Sequence, residues 1–161
     1  MEIAIRLLPS MIIIKIKSIA DRNMEKNKIS VDVSWTGDNF CASWADGHDG
    51  VVLVTAKSLE KLKEDFAESI RLHVQGCVDD GDIFPDYLVN GDYDIEYNLD
   101  AAAIIRNAES FTTMTAISRI SGINRKQLSH YANGIKHPRP VQLERIKAAL
   151  AIIGAQLIAL S

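Results

Sequence analysis

The sequence predicts an α+β protein, in which a small sheet with one covering helix precedes an all-helical half. Three observations lead there. Residues 28–55 contain three runs of strand character, two of them alternating apolar and polar side chains. Residues 58–77 then carry apolar side chains at three- and four-residue spacing, over a length sufficient to cover a sheet. After a fourth alternating run at residues 93–98, helical patterns follow one another to the end of the chain. With 161 residues, 47% hydrophobic and 24% charged, the chain has room for one or two small domains, and its composition argues against wholesale disorder.

Residues 1–23 form the least regular segment. An isoleucine-rich stretch at 11–20 is interrupted by Lys15 and Lys17, so it is too short and too charged to span a bilayer. It also lacks the unbroken apolar core of a signal peptide. Met24 opens a more regular pattern. Residues 1–23 therefore read as an upstream start or a loose arm, with a stray edge strand as the alternative, and Met1, Met11 and Met24 are all candidate starts.

Ile29, Val31 and Val33 alternate with Ser30, Asp32 and Ser34, which describes a half-buried strand. A turn at 36–39 leads to its hairpin partner, where Phe40, Ala42 and Trp44 share a face. A second turn, 46–50, precedes a more continuously apolar strand at 51–55, a pattern suited to a central position. Ser58 caps the long helix, and Leu59, Leu62, Phe66, Ile70, Val74 and Cys77 form its inner stripe. Residues 78–92 are acidic and rich in turn formers. Tyr93, Ile95 and Tyr97 alternate in the last strand, completing a β-β-β-α-β unit. Asp100 caps a helix to about residue 109, with Ala102, Ile105 and Ala108 inward.

Residues 112–140 are the most informative. Thr113 can cap a first short helix with Ile117 and Ile120 on its inner face and the small Ser118 where a partner helix approaches. Gly122 falls where a left-handed helix end wants no Cβ. Ile123 plugs the corner, and Asn124 caps a second helix whose inner face is Leu128 and Tyr131. Asn133-Gly134 ends it. This joint spacing is that of a DNA-binding helix-turn-helix. Arg125, Lys126, Gln127, Ser129 and His130 point away from Leu128 and Tyr131 and can donate to base edges or phosphates. Lys136 and Arg139 lie in a stiff basic loop suited to the DNA backbone, and Thr113, Asn124 and Asn133 at the helix ends complete the expected DNA-binding set. A solvated amphipathic helix pair is the plainer alternative. The final helix starts at Pro140, where a missing N–H costs nothing. Its Leu143, Ile146, Leu150, Ile153, Leu157 and Leu160 form a heptad-like seam, shared between its own small domain and a subunit interface.

Charge divides the same way. Residues 24–98 hold six basic and sixteen acidic side chains, net −10, whereas residues 99–161 hold eight and three, net +5. The basic part suits counterion release on duplex DNA, and the acidic part suits a basic partner. Chemistry finds less support. Asp46, Asp49, Asp65 and Asp82 are of the right type for a metal-dependent nuclease, but none occupies mid-strand opposite another acid. Asp80-Gly81-Asp82 lacks the twelve-residue calcium pattern. His48 beside Asp49 has no nearby nucleophile. Cys41 and Cys77 read as free thiols, and the four histidines do not cluster with them, so neither zinc nor any other cofactor is expected.

The strand run 29–55, the helix opened by residues 58–70 and the Leu128-Ser-His-Tyr-Ala-Asn-Gly134 helix with its Pro138-Arg-Pro140 sequel resemble the HicB antitoxins of bacterial HicA–HicB toxin–antitoxin systems. The second half is similar to the Cro/repressor type. The resemblance covers residues 28 to about 157. It implies a partial ribonuclease-H-like domain at 24–98 without catalytic acids, which covers a small basic mRNA-cleaving HicA-type toxin. It also implies a DNA-binding and dimerising domain at 99–161 that represses the operon by binding operator DNA. Two features depart from the pattern: Met114 stands where such repressors often carry a phosphate-binding glutamine, and the glycine-cysteine turn before the helix is absent. The expected protein is thus a non-enzymatic, cytoplasmic, oligomeric antitoxin, found at the nucleoid when bound to its operator. A ligand-sensing regulator and a nuclease with a regulatory DNA-binding domain are the rivals.

Overall fold

The computed structural model describes residues 27–47 and 50–160, so the expectations for residues 1–23 and for His48 and Asp49 lie outside it. Four strands, β1 (Asn27–Trp35), β2 (Phe40–Ala45), β3 (Val51–Ala56) and β4 (Tyr93–Leu99), form one mixed sheet in the order β3-β2-β1-β4. β2 is antiparallel to both its neighbours, with Ala42 opposite Val33 and Val54; β4 runs parallel to β1, with Tyr97 opposite Val31. The alternation in β1 does what its spacing requires: Ile29, Val31 and Val33 are buried, while Ser30 and Asp32 are exposed.

Helix α1 (Leu59–Asp79) lies on that buried face, capped by Ser58 Oγ, which accepts from the Lys61 N–H at 3.2 Å. Leu62, Phe66 and Ile70 are fully buried against the strands. The other face of the sheet has no covering helix among the described residues, and this corrects the expectation for β3. It is an edge strand, with Val51 64% and Leu53 62% exposed, and only Val52 buried. An apolar run specifies a strand but not its position in the sheet. The acidic segment after α1 also holds more structure than its turn formers suggest. A four-residue helix α2 (Asp86–Val89) tucks Leu88, together with Phe84, into the sheet's core.

Asp100 caps α3 (Ala101–Ala108) by accepting from the Ala103 N–H at 2.7 Å. This helix joins two hydrophobic clusters, for Ala103 packs with the sheet whereas Ile105 and Ala108 belong to a second core. That core also contains Ile117, Ile123, Leu128, Tyr131 and Ile146, drawn from α4 (Met114–Ser121), α5 (Arg125–Ala132), the turn between them and α6 (Pro140–Ile158). The chain is therefore an α+β sheet unit followed by an all-helical region. The seam of α6 is only partly used within the chain. Ile146 is buried and Leu143, Leu150 and Ile153 are half-buried, but Leu157 is about half exposed and Leu160, beyond the helix end, largely so; on another side Ile152 and Ile158 are exposed as well. No helix among the described residues is long and apolar enough to cross a membrane.

Candidate functional site

The site is built on the junction of α4 and α5. Thr113 Oγ1 accepts from the Ala116 N–H at 3.1 Å and starts α4. Gly122 ends it at φ +67°, a left-handed conformation that any Cβ would strain. Ile123 is buried in the corner as its position demands. Ser118 does more than leave room, because its hydroxyl donates to the Ile123 carbonyl at 2.7 Å, and the buried Ser121 hydroxyl accepts from the Ile123 N–H. Asn124 Oδ1 then accepts from the Lys126 N–H at 2.8 Å and starts α5. Leu128 and Tyr131 face the core.

On the opposite side, Arg125 and Lys126 are exposed, and so are Lys136 and Arg139 in the following loop and turn. Between Ser110 and Leu143 the chain has five arginines and lysines and no acid. Among the described residues, none of these four cations forms an ion pair. Such a surface attracts anions, and closely spaced exposed cations gain by neutralising a polyanion.

Other members of the expected set are committed within the protein. Gln127 does not point away from Tyr131: its amide donates to the Tyr131 hydroxyl at 2.6 Å, and that hydroxyl donates on to Gln142 Oε1. Its reach along the helix, one turn, makes the bond available whenever residue 131 carries a hydroxyl. Asn133 donates to the Ser129 carbonyl and accepts from Arg106. Thr113 and Asn124 use their oxygens as caps. Ser129 and His130 are half-buried. The outward-facing donors are thus chiefly Arg125 and Lys126, with Lys136 and Arg139 beside them.

Two arginines not singled out by the sequence hold this frame. Arg106 on α3 donates through Nε to the Ala132 carbonyl, pairs with Glu109, and lies 5.6 Å from the Trp35 ring centroid, linking α5 to the sheet unit. Arg145 on α6 places two N–H groups on the Ser121 carbonyl, at 3.0 and 2.6 Å, and so satisfies an orphan carbonyl at the end of α4. Both are long side chains whose partners are backbone atoms far away in sequence, a contact that no local spacing encodes.

The sheet unit contains a second constellation. The expectation that no histidine meets a cysteine is corrected: His73 Nε2 lies 3.8 Å from Cys77 Sγ and 2.7 Å from Asp46 Oδ2. His73 and Cys77 are one helical turn apart on α1, and the β2–β3 turn brings Asp46 to them. Asp65, also weighed as a nuclease ligand, is instead paired with Lys61 at 2.7 Å. Burial pushes the Cys77 thiol above its usual pKa, and the negative charges of Asp82, Asp46 and Asp80 push it the same way. A thiol so placed stays protonated and is a poor nucleophile.

Searches with this chain against protein-family models, curated proteins and solved structures gave no match.

Proposed function

We propose that this protein binds duplex DNA through α5 and neutralises a small basic protein through its acidic sheet unit, as an antitoxin and autorepressor of the HicB kind. The observation that carries the first half is the fixed outward presentation of Arg125 and Lys126, over a helix whose Leu128 and Tyr131 are locked in the core. In this reading α4 and α5 are a Cro/repressor-type helix-turn-helix, Arg125 and Lys126 read base edges, and Lys136 and Arg139 hold phosphates. Gln127 joins them only if it leaves Tyr131, so it contributes less to base reading than its position suggests. Ser129 and His130 lie at the margin of the interface, while Thr113, Asn124 and Asn133 act by fixing the helix ends.

The second half rests on charge and on the open sheet face. Asp32, Asp94 and Glu96 are exposed there, with the apolar Val51 and Leu53 at the β3 edge. An acidic surface beside a few apolar side chains suits a cationic protein partner, the HicA-type toxin in this reading. The β-β-β-α-β order, with β4 parallel to β1, supports a partial ribonuclease-H-like unit. The uncovered end of α6 supports a homodimer, which would set two α5 helices on two half-sites of an operator. Such a protein works in the cytoplasm and at the nucleoid, with no membrane role and no catalytic residues.

Fluorescence anisotropy on DNA from the protein's own promoter tests the DNA half. Arg125→Ala should weaken binding by about 1–3 kcal/mol and relax sequence choice. Equal binding of variant and parent to promoter and random duplex refutes the assignment. For the second half, co-expression with the product of an adjacent gene encoding a small basic protein should restore growth and yield a stable complex. Continued growth arrest with the full chain present refutes it.

A further inference from the structure

We propose that Asp46, His73 and Cys77 form a binding site for a divalent transition-metal ion of the zinc type, which fastens the β2–β3 turn to α1. The three donor atoms lie within 4.8 Å of one another. They come from two separate elements, and each is a different kind of ligand: a carboxylate oxygen, an imidazole nitrogen and a sulfur. That mixture is suited to zinc and poorly suited to magnesium or calcium, which take oxygen alone.

The directions of the contacts distinguish this site from a nucleophilic triad. In a Cys–His–Asp triad the carboxylate orients one ring nitrogen while the thiol meets the other. Here Asp46 Oδ2 and Cys77 Sγ both approach His73 Nε2. Donors converging on one nitrogen leave no relay, but they surround a point where a cation can sit. A tetrahedral zinc would hold nitrogen and oxygen about 3.3 Å apart and sulfur and nitrogen about 3.5 Å apart, given metal–ligand distances near 2.0 and 2.3 Å. The present separations are 2.7 and 3.8 Å. Entry of the metal therefore asks His73 and Asp46 to part by about half an ångström and the sulfur to close by a few tenths. The Cys77 thiol releases its proton to solvent, and the thiolate bonds the metal. The proton between Nε2 and Asp46 Oδ2 also passes to solvent, and the neutral ring that binds the metal through Nε2 carries its single hydrogen on Nδ1.

The surroundings are those of a built site. The Asp46 side chain is only 2% exposed, although it carries a carboxylate. Its Oδ1 accepts from the Gly50 N–H at 3.2 Å, and its Oδ2 faces His73. A side chain at Gly50 would displace the pair, because its Cβ would strike Asp46 Oδ2 and come within 2.8 and 2.9 Å of the His73 ring. Trp44 and Phe84 meet the imidazole edge-on and fix its plane. Asp82, whose N–H donates to the Cys77 carbonyl at 2.9 Å, sets its carboxylate beside the same sulfur. A water molecule supplies the fourth position.

Cobalt(II) titration of the full-length protein, stripped of metal and kept reduced, tests this. One equivalent should produce a thiolate-to-cobalt charge-transfer band and the visible bands of tetrahedral coordination, and zinc should abolish both by displacement. Cys77→Ser should remove the charge-transfer band. Asp46→Asn and His73→Asn should each weaken binding more than about 100-fold, since even outer partners of such ligands are worth 10–100-fold. The double variant His130→Asn/His137→Asn should leave the spectrum unchanged. A readout free of any variant is alkylation of the parent chain followed by mass mapping, in which zinc should slow modification of Cys77 at least about tenfold and leave Cys41 unaffected. A parent chain that gives no cobalt spectrum, or in which zinc protects both cysteines alike, overturns the proposal.

Discussion

Replacing Gly122 with alanine tests whether the turn between α4 and α5 is fixed by backbone conformation and by Arg145 together. At φ +67° a Cβ costs about 1–2 kcal/mol. The added carbon would also lie 2.8 Å from an Arg145 guanidinium nitrogen, the one that donates to the Ser121 carbonyl at 2.6 Å. That nitrogen ends a flexible side chain, so the clash is relieved by moving it, and what is lost is one part-buried hydrogen bond, worth about 1 kcal/mol. Gly122→Ala should therefore destabilise by about 2–3 kcal/mol. Gly134 provides the comparison: it has the same φ of +67° and nothing within 4 Å of a Cβ, so Gly134→Ala should cost the backbone part alone, about 1–2 kcal/mol. Arg145→Ala should cost about 1 kcal/mol, and in that background Gly122→Ala should fall to the Gly134 value, a coupling of about 1 kcal/mol. Urea denaturation followed by far-UV circular dichroism measures all four variants. Strict additivity of Gly122→Ala and Arg145→Ala, or a Gly122 variant within about 0.5 kcal/mol of the parent, would refute the reasoning. Because α5 takes its angle from this turn, the same variant should lose DNA affinity beyond what its stability explains.

Leu157→Asp, at a side chain already 52% exposed, should leave the melting temperature of dilute protein nearly unchanged but shift light scattering from dimer to monomer; an unchanged mass shows that this end of α6 is not an interface. Lys136→Ala should weaken binding to all duplexes alike and lower the slope of log K against log salt by about one. Burial holds the phenols of Tyr93 and Tyr97 above their usual pKa. The folded chain therefore keeps these protons after the unfolded chain has lost them, so their contribution is complete below a pH of about 10 and declines as pH rises beyond it. Melts taken at rising alkaline pH should show that decline, and Tyr97→Phe should make it shallower; an identical profile for the variant removes Tyr97 as a cause.

What was legible in the chain follows from the range of the physics involved. Alternation in residues 29–33, the 3–4 stripe of α1 and the caps at Ser58, Asp100, Thr113 and Asn124 are local, each set by a few residues and their immediate backbone, and each could be read directly. The edge position of β3 was not, because a run such as Val51-Val-Leu-Val54 says how the chain bends but not which strands lie beside it. α2 is too short to show a period against its aspartates and Pro85. Gln127 shows how a helical wheel fails: position places its Cβ outward, yet a long amide one turn from Tyr131 folds back to a hydroxyl that itself needs a partner. The Asp46–His73–Cys77 cluster was half visible. His73 and Cys77 stand four apart on a helix, the spacing that puts two ligands on one face, but a third donor arrives from a turn 27 residues away in sequence, and only the register of β2 with β3 brings it there.

The same distinction orders the two surfaces on which the proposed function rests. The cationic face of α5 is largely a local construction, in which caps, a glycine turn and two core side chains set the direction of Arg125 and Lys126, with Arg106 and Arg145 bracing it from neighbouring helices. The acidic sheet face is a product of topology: Asp32 comes from β1 while Asp94 and Glu96 come from β4, and they share a surface only because β4 docks parallel to β1. Arg106 links the two units through α5 and Trp35, so a partner that moved the Trp35 end of β1 would also move the Ala132 end of α5. In the proposed reading, occupancy of the sheet unit and presentation of Arg125 are linked through this side chain, beside the packing of Ala103 on the sheet. Arg106→Ala should weaken that link, so that DNA affinity measured by anisotropy responds less to a partner bound on the sheet unit.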